Sequence, residues 1–139
     1  MDMPARLRRQ VVERAGNRCE YCGLSQAGQE AAFHIDHVVP LNSGGKTIAA
    51  KLALACVSCS LRKGARLSAI DSQTGRENPL FNPRTDVWRL HFRWSGVRAV
   101  GISAVGRATV DALRMNRPVA QAIPQEERSR GRHPPPEHR

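Results

Sequence analysis

The chain has 139 residues, with 22 Lys+Arg against 12 Asp+Glu, a formal charge of +10 and a sequence pI near 10.9. That length predicts one domain of the usual ~100–150 residues, and at 4% aromatic and 40% hydrophobic content its core is modest and calls for an added clamp. Apolar runs fall short of the ~20 residues of a membrane span, and Met1-Asp2-Met3-Pro4-Ala5-Arg6 leads into charge instead of an apolar signal core, so a cytoplasmic location is expected. The basic excess is 19 Arg and only three Lys, Lys46, Lys51 and Lys63. Arginine suits bidentate phosphate contacts, so the composition points to a polyanionic partner, most simply nucleic acid. An arginine-rich surface that merely aids solubility is the plainer alternative.

In chain order, residues 4–15 read as a helix. Pro4 suits a first-turn position, and Leu7, Val11 and Ala15 form an apolar stripe. Gly16-Asn17 stops it. Cys19 and Cys22 form one C-x-x-C knuckle, with Gly23 allowing a tight turn, and residues 24–31 read as a loop. Residues 32–39 are a strand candidate ended by Pro40, and residues 43–46 a turn. Residues 52–55 are a short apolar stretch entering the second knuckle, Cys56 and Cys59, and residues 57–64 are a short helix closed by Gly64.

Residues 68–86 read as loop. Trp88, Leu90, Phe92 and Trp94 alternate with Arg89, His91 and Arg93, the period-two pattern of a strand with its aromatic face in the core and His91 and Arg93 outward. Ser95-Gly96 turns the chain into a second strand over residues 97–102. Ser103 caps a helix over about 104–116. Residues 119–139 carry four Arg and three Glu, several prolines and no apolar period, and are expected to be disordered. The expected division is a core over 1–68, a hairpin-and-helix extension over 69–118 packed on it, and the tail.

Four cysteines in two C-x-x-C pairs, none left over, read as a closed, structural four-thiolate zinc site. Two disulfide or redox pairs are the alternative, which favours an oxidising compartment. Between the knuckles stand His34, Asp36 and His37. A carboxylate followed by a histidine at a strand end suits phosphodiester hydrolysis: carboxylate oxygen holds a hard divalent ion, and imidazole takes a proton from water near neutral pH. An exposed acid beside a packing histidine is the alternative.

The order C-x-x-C, His34-x-Asp36-His37, Gly44-Gly45, then Leu52-Ala53-Leu54-Ala55-Cys56-x-x-Cys59-x-x-x-Lys63-Gly64 resembles the HNH endonuclease family. The resemblance covers roughly residues 6–118. It implies an α+β, ββα-metal (His-Me finger) fold braced by the four-cysteine zinc, with a C-terminal hairpin-plus-helix extension. It implies His37 as general base, Asp36 as ligand of a catalytic divalent ion such as Mg2+, and His34 as a further ligand or orienting group. Arg62, Lys63 and Lys46 would contact phosphates of a nucleic-acid partner, expected to be double-stranded DNA. Two positions depart from the pattern. The family's middle Asn, which orients the base histidine, is Lys51 here, and its last His or Asn, a metal ligand, is Ser60. Three readings follow: a metal-dependent endonuclease weakened by Lys51 and Ser60, a catalytically impaired zinc-braced nucleic-acid binding module, or a zinc-stabilised protein-interaction domain.

Overall fold

The computed structural model describes residues 3–136. Helix α1 (Ala5–Arg14) buries Val11, and Ala15 just after it, against the second strand, because the stripe read from the sequence is apolar on that side only. Strands β1 (His34–His37) and β2 (Leu52–Ala55) pair antiparallel in the register His34–Ala55, Ile35–Leu54, Asp36–Ala53 and His37–Leu52. All four residues of β2 are buried, as expected of a strand covered on both faces. Helix α2 (Val57–Lys63) follows directly, with Cys56 as its N-cap. These elements give the α+β core that the sequence predicts.

The connector from β1 to β2 folds back on itself at Gly44 and Gly45. Gly44 has a positive φ of 89°, and a Cβ on Gly45 would stand 1.7 Å from the Val39 carbonyl oxygen, so only glycine admits this close return. The Gly45 amide donates to the Pro40 carbonyl at 3.0 Å and closes the loop.

Residues 68–86, expected to be loop, contain a short hairpin, β3 (Ser68–Ile70) and β4 (Glu77–Pro79). Its turn is organised by Asp71, whose fully buried carboxylate accepts from the Gln73 amide, the Thr74 hydroxyl and the Arg107 guanidinium. Each strand has only three residues, too few for a period-two signal. Pro79 is tolerated because a two-stranded sheet consists of edges.

The strand expected from Trp88 starts later. Residues Trp88–Leu90 form a 3₁₀ turn, and β5 (Phe92–Ser95) then pairs with β6 (Arg98–Gly101). The turn breaks the alternation, so Leu90 points out at 60% exposure while Trp88 stacks on Phe92 and Trp94 with centroids 4.9 and 5.6 Å apart. His91, expected outward, is half-buried, with Nδ1 2.7 Å from Ser103 Oγ. Helix α3 (Ala104–Ala112) begins where the sequence placed it, Ser103 Oγ accepting from the Gly106 amide at 2.9 Å. A Cβ on Gly106 would meet the His91 carbonyl oxygen at 1.9 Å, so glycine lets α3 lie directly on the end of the turn.

The expectation of disorder over residues 119–139 is corrected in its first part, where the chain forms α4 (Pro118–Ser129). One of its charges is drawn onto the protein. Glu127 is buried and ion-paired with Arg132, and Arg18 donates to the Arg132 carbonyl at 2.9 Å. Such a helix leans on tertiary contacts more than on its own periodicity. Residues 137–139 of the expected tail lie outside the described residues.

One cluster of buried residues runs from Val11 to Met115 and includes Tyr21, Phe33, Leu52, Leu54, Phe81 and Phe92. Phe81 meets Tyr21 and Phe92 edge-on at 6.5 and 5.2 Å. Among the described residues no helix is long and apolar enough to cross a membrane.

Candidate metal centre and HNH groove

The two knuckles meet at the N-terminal end of α2. The sulfurs of Cys19, Cys22, Cys56 and Cys59 all lie within 4.8 Å of one another. A tetrahedral zinc site with Zn–S bonds of about 2.3 Å sets sulfur–sulfur edges of about 3.8 Å, and Cys22 Sγ lies 3.8 Å from Cys56 Sγ. Local geometry aims the thiols. The Gly23 amide bonds the Cys19 carbonyl at 2.8 Å, the Cys22 amide reaches Cys19 Sγ, and the Cys59 amide reaches Cys56 Sγ at 3.4 Å. Hydrogen bonds among the thiols, with burial, push Cys22 and Cys59 well up and hold Cys56 down. Four converging thiols are the donor set of a tetrahedral metal site. The four cysteines can therefore hold a metal ion such as zinc. Glu20 ties the first knuckle to β2, exchanging bonds of 2.8 Å with both the amide and the carbonyl of Leu54.

At the other end of α2 lies an open groove of about 760 Å³, lined by His34, Asp36, His37 and Ser60 together with Arg8 and Asn42. His34 and Asp36 are two residues apart on β1 and share its face toward α2. His34 Nδ1 stands 2.9 Å from Ser60 Oγ. The pair is at hydrogen-bond distance, and Asp36 lies on the same face of β1. His37, next along β1, also lines the groove, and its Nε2 lies 2.9 Å from Thr47 Oγ1 on the connector.

Asp36 is not free. Its Oδ2 accepts from the Tyr21 hydroxyl at 2.7 Å, and Lys63 Nζ sits 3.3 Å from Oδ1 and 3.2 Å from Oδ2. Lys63 also donates to the His37 carbonyl at 3.1 Å. Burial pushes the Asp36 carboxyl up, and the Lys63 charge with the Tyr21 hydrogen bond oppose it. Burial also raises the Tyr21 hydroxyl well above its ordinary range, reinforced by Asp36, so it remains a donor.

Three expected positions lie elsewhere. Lys63, expected on phosphates, has a side chain only 2% exposed and cannot reach solvent; the carboxylate at the far side of α2 draws it in. Arg62 faces the opposite side of the helix, in a cavity between α2 and α4. Lys51 is exposed and does not line the groove, because it occupies the 3₁₀ turn Ala49–Lys51 before β2. Lys46 is exposed on the connector. The structure adds Tyr21, Thr47 and Arg8, which the sequence did not single out. Tyr21 carries the one available signal, lying inside the first C-x-x-C, whereas Arg8 and Thr47 reach the site only through the fold. Arg8 Nη2 donates to the Phe33 carbonyl at 3.1 Å and forms part of the groove wall.

Residues 19–66, which contain both knuckles, β1, the connector, β2 and α2, match the family model described as HNH endonuclease. The chain is also similar to the Septu protein PtuB of Bacillus thuringiensis, 23% identical over 108 residues, covering 76% of this chain and 39% of that protein. It thus spans about two fifths of that relative's length. No solved structure matches the chain. The chain carries an HNH-family domain over residues 19–66.

Proposed function

We propose that this protein is a metal-dependent endonuclease that hydrolyses phosphodiester bonds in nucleic acid, with double-stranded DNA as its substrate. The observation that carries the reading is the gathering of His34, Asp36, His37 and Ser60 in one open groove at the edge of β1 and α2, within a segment that matches the HNH family. His34, Ser60 and Asp36 would hold a divalent ion such as Mg2+. When bound, the ion supplies charge that polarises the phosphate and stabilises the leaving oxygen. His37 takes the proton from the attacking water. Arg8, exposed on the groove wall with one of its five donors on Phe33, offers the rest to phosphate oxygens. The +10 charge draws the polyanion in. The cysteine cluster holds structural zinc and supplies the clamp that a small core lacks.

A second reading, a nucleic-acid binding module without cleavage, is favoured by one specific feature, the ammonium of Lys63 already seated on Asp36. Plasmid nicking in Mg2+ or Mn2+, with His37→Ala as control, separates the two. The endonuclease reading expects nicking in the wild type and a loss of about 10²–10⁴-fold in the variant, the scale of a removed general base. Equal rates refute it. Absent nicking with binding that weakens steeply as salt rises establishes the second reading.

A further inference from the structure

We propose that Thr47 is the positioning residue of His37, the task for which position 51 has no suitable side chain. This rests on His37 being the general base. Among the described residues the ring of His37 makes one side-chain hydrogen bond, Nε2 to Thr47 Oγ1 at 2.9 Å. Neutral imidazole carries its proton on one nitrogen and a lone pair on the other. With Nε2–H donating to Thr47, Nδ1 keeps its lone pair and is the atom that accepts a proton from water.

A positioning residue must itself be held, and the connector holds Thr47 from both sides. Upstream, the Gly45 amide is bonded to the Pro40 carbonyl at 3.0 Å. Downstream, the Arg14 guanidinium forks onto the carbonyls of Ala49 and Leu52 at 2.8 and 2.6 Å, straddling Lys51. The Lys51 backbone completes the anchor: its amide donates to Ile48 at 2.9 Å and its carbonyl accepts from Val38 at 3.1 Å. The Lys51 side chain takes no part in any hydrogen bond or ion pair among the described residues. Its backbone and Arg14 shape the connector, and Thr47 orients the ring.

Histidine-¹⁵N-labelled full-length protein tests this, with the His37 signals assigned by their loss in His37→Ala. The expected result is the Nε2–H tautomer of His37 in the wild type, in Thr47→Ser and in Lys51→Ala, and a mixed population in Thr47→Val. The nicking kcat of Thr47→Val is expected to fall ~10–100-fold, the scale of a lost supporting hydrogen bond, with KM unchanged and activity recovered in Thr47→Ser. An Nδ1–H tautomer in the wild type overturns the proposal. So does an unchanged tautomer in Thr47→Val, or one displaced by Lys51→Ala. The nitrogen shifts need neither metal nor activity, so the two readings fail separately. Thr47-dependent tautomers without nicking remove the endonuclease reading and keep the Thr47–His37 lock. His37-dependent nicking with shifts indifferent to Thr47 removes the Thr47 proposal alone.

Discussion

The two ends of α2 each gather ionisable side chains, and they differ in where a counter-charge can come from. At the N-terminal end, four cysteine sulfurs converge within 4.8 Å, a set that can hold a metal ion such as zinc. An ion bound there would be taken from solution. At the C-terminal end, the chain supplies its own cation, Lys63, to the Asp36 carboxylate. The first is a compact set of four sulfurs. The second leaves His34, Ser60 and His37 open to a groove, with the carboxylate pre-neutralised until something competes for it. A third buried carboxylate, Asp71, follows the second pattern: Arg107 grips it with two bonds of 2.9 and 3.1 Å and ties the β3–β4 hairpin to α3. An imported ion can cross-link distant segments strongly, but it can be removed. An internal cation cannot leave, but it also cannot join more than the residues it touches.

The largest break in this contrast comes from emptying the cysteine cluster. Cys59→Ser, or chelation, is expected to abolish the cooperative thermal transition seen by circular dichroism, because folding and metal binding are one equilibrium in such sites. Metal analysis of the intact protein should return one zinc per chain. A chelated protein that melts like the untreated one would place the clamp in the apolar core instead.

Next is Lys63→Met, which leaves the Asp36 carboxylate buried beside Tyr21 without its cation. Breaking a buried pair by removing one partner typically costs ~3–5 kcal/mol, and urea denaturation should show a loss of that order. The double variant Lys63→Met, Asp36→Asn should recover much of it, since no charge is then stranded. A surface lysine on phosphate would show neither the loss nor the recovery.

The smallest effect is pH dependence at Asp71. Hydrogen bonds from Arg107, helped by Thr74 and the Gln73 amide, hold its carboxyl well below the usual carboxylate range. The folded state therefore binds this proton less readily than the unfolded state. The pair's contribution is present above the ordinary aspartate range, near pH ~4, and is lost as pH falls below it. Stability measured by urea from pH 7 downward should decline, and Asp71→Asn should lower the plateau and flatten the decline. An equal slope in wild type and variant would assign the acid sensitivity to other carboxylates.

Much of the fold is legible in the chain because its signals are local. Val11 and Ala15 mark α1 by helical spacing, Ser103 marks the start of α3, and the Leu52–Ala55 run marks a covered strand. The knuckles are legible for the same reason, since two residues between cysteines is already the geometry of a shared ion. The first strand of the β5–β6 hairpin is misjudged at Trp88 because a single 3₁₀ turn rotates Leu90 out of an otherwise regular alternation. Helix α4 is missed because its tie to the rest of the protein is long-range: Glu127 pairs with Arg132 just beyond the helix, and Arg18, more than a hundred residues away in the chain, donates to the Arg132 carbonyl.

The candidate site divides along the same line. His34, Asp36, His37 and Ser60 stand in the sequence in recognisable order, and the fold brings them to one groove. The residues that complete their chemistry are invisible there. Lys63 turns inward to Asp36 across 26 intervening residues, Tyr21 reaches the same carboxylate from inside the first C-x-x-C knuckle, and Thr47 meets His37 where Gly45 and Arg14 hold the connector back. The sequence by itself determined which groups this protein possesses and where its clamp lies, because spacing along a chain dictates local geometry. Tertiary structure alone decided which of its charges are spent on each other and which face the groove, because desolvation and pairing depend on distances in space that no spacing along the chain encodes.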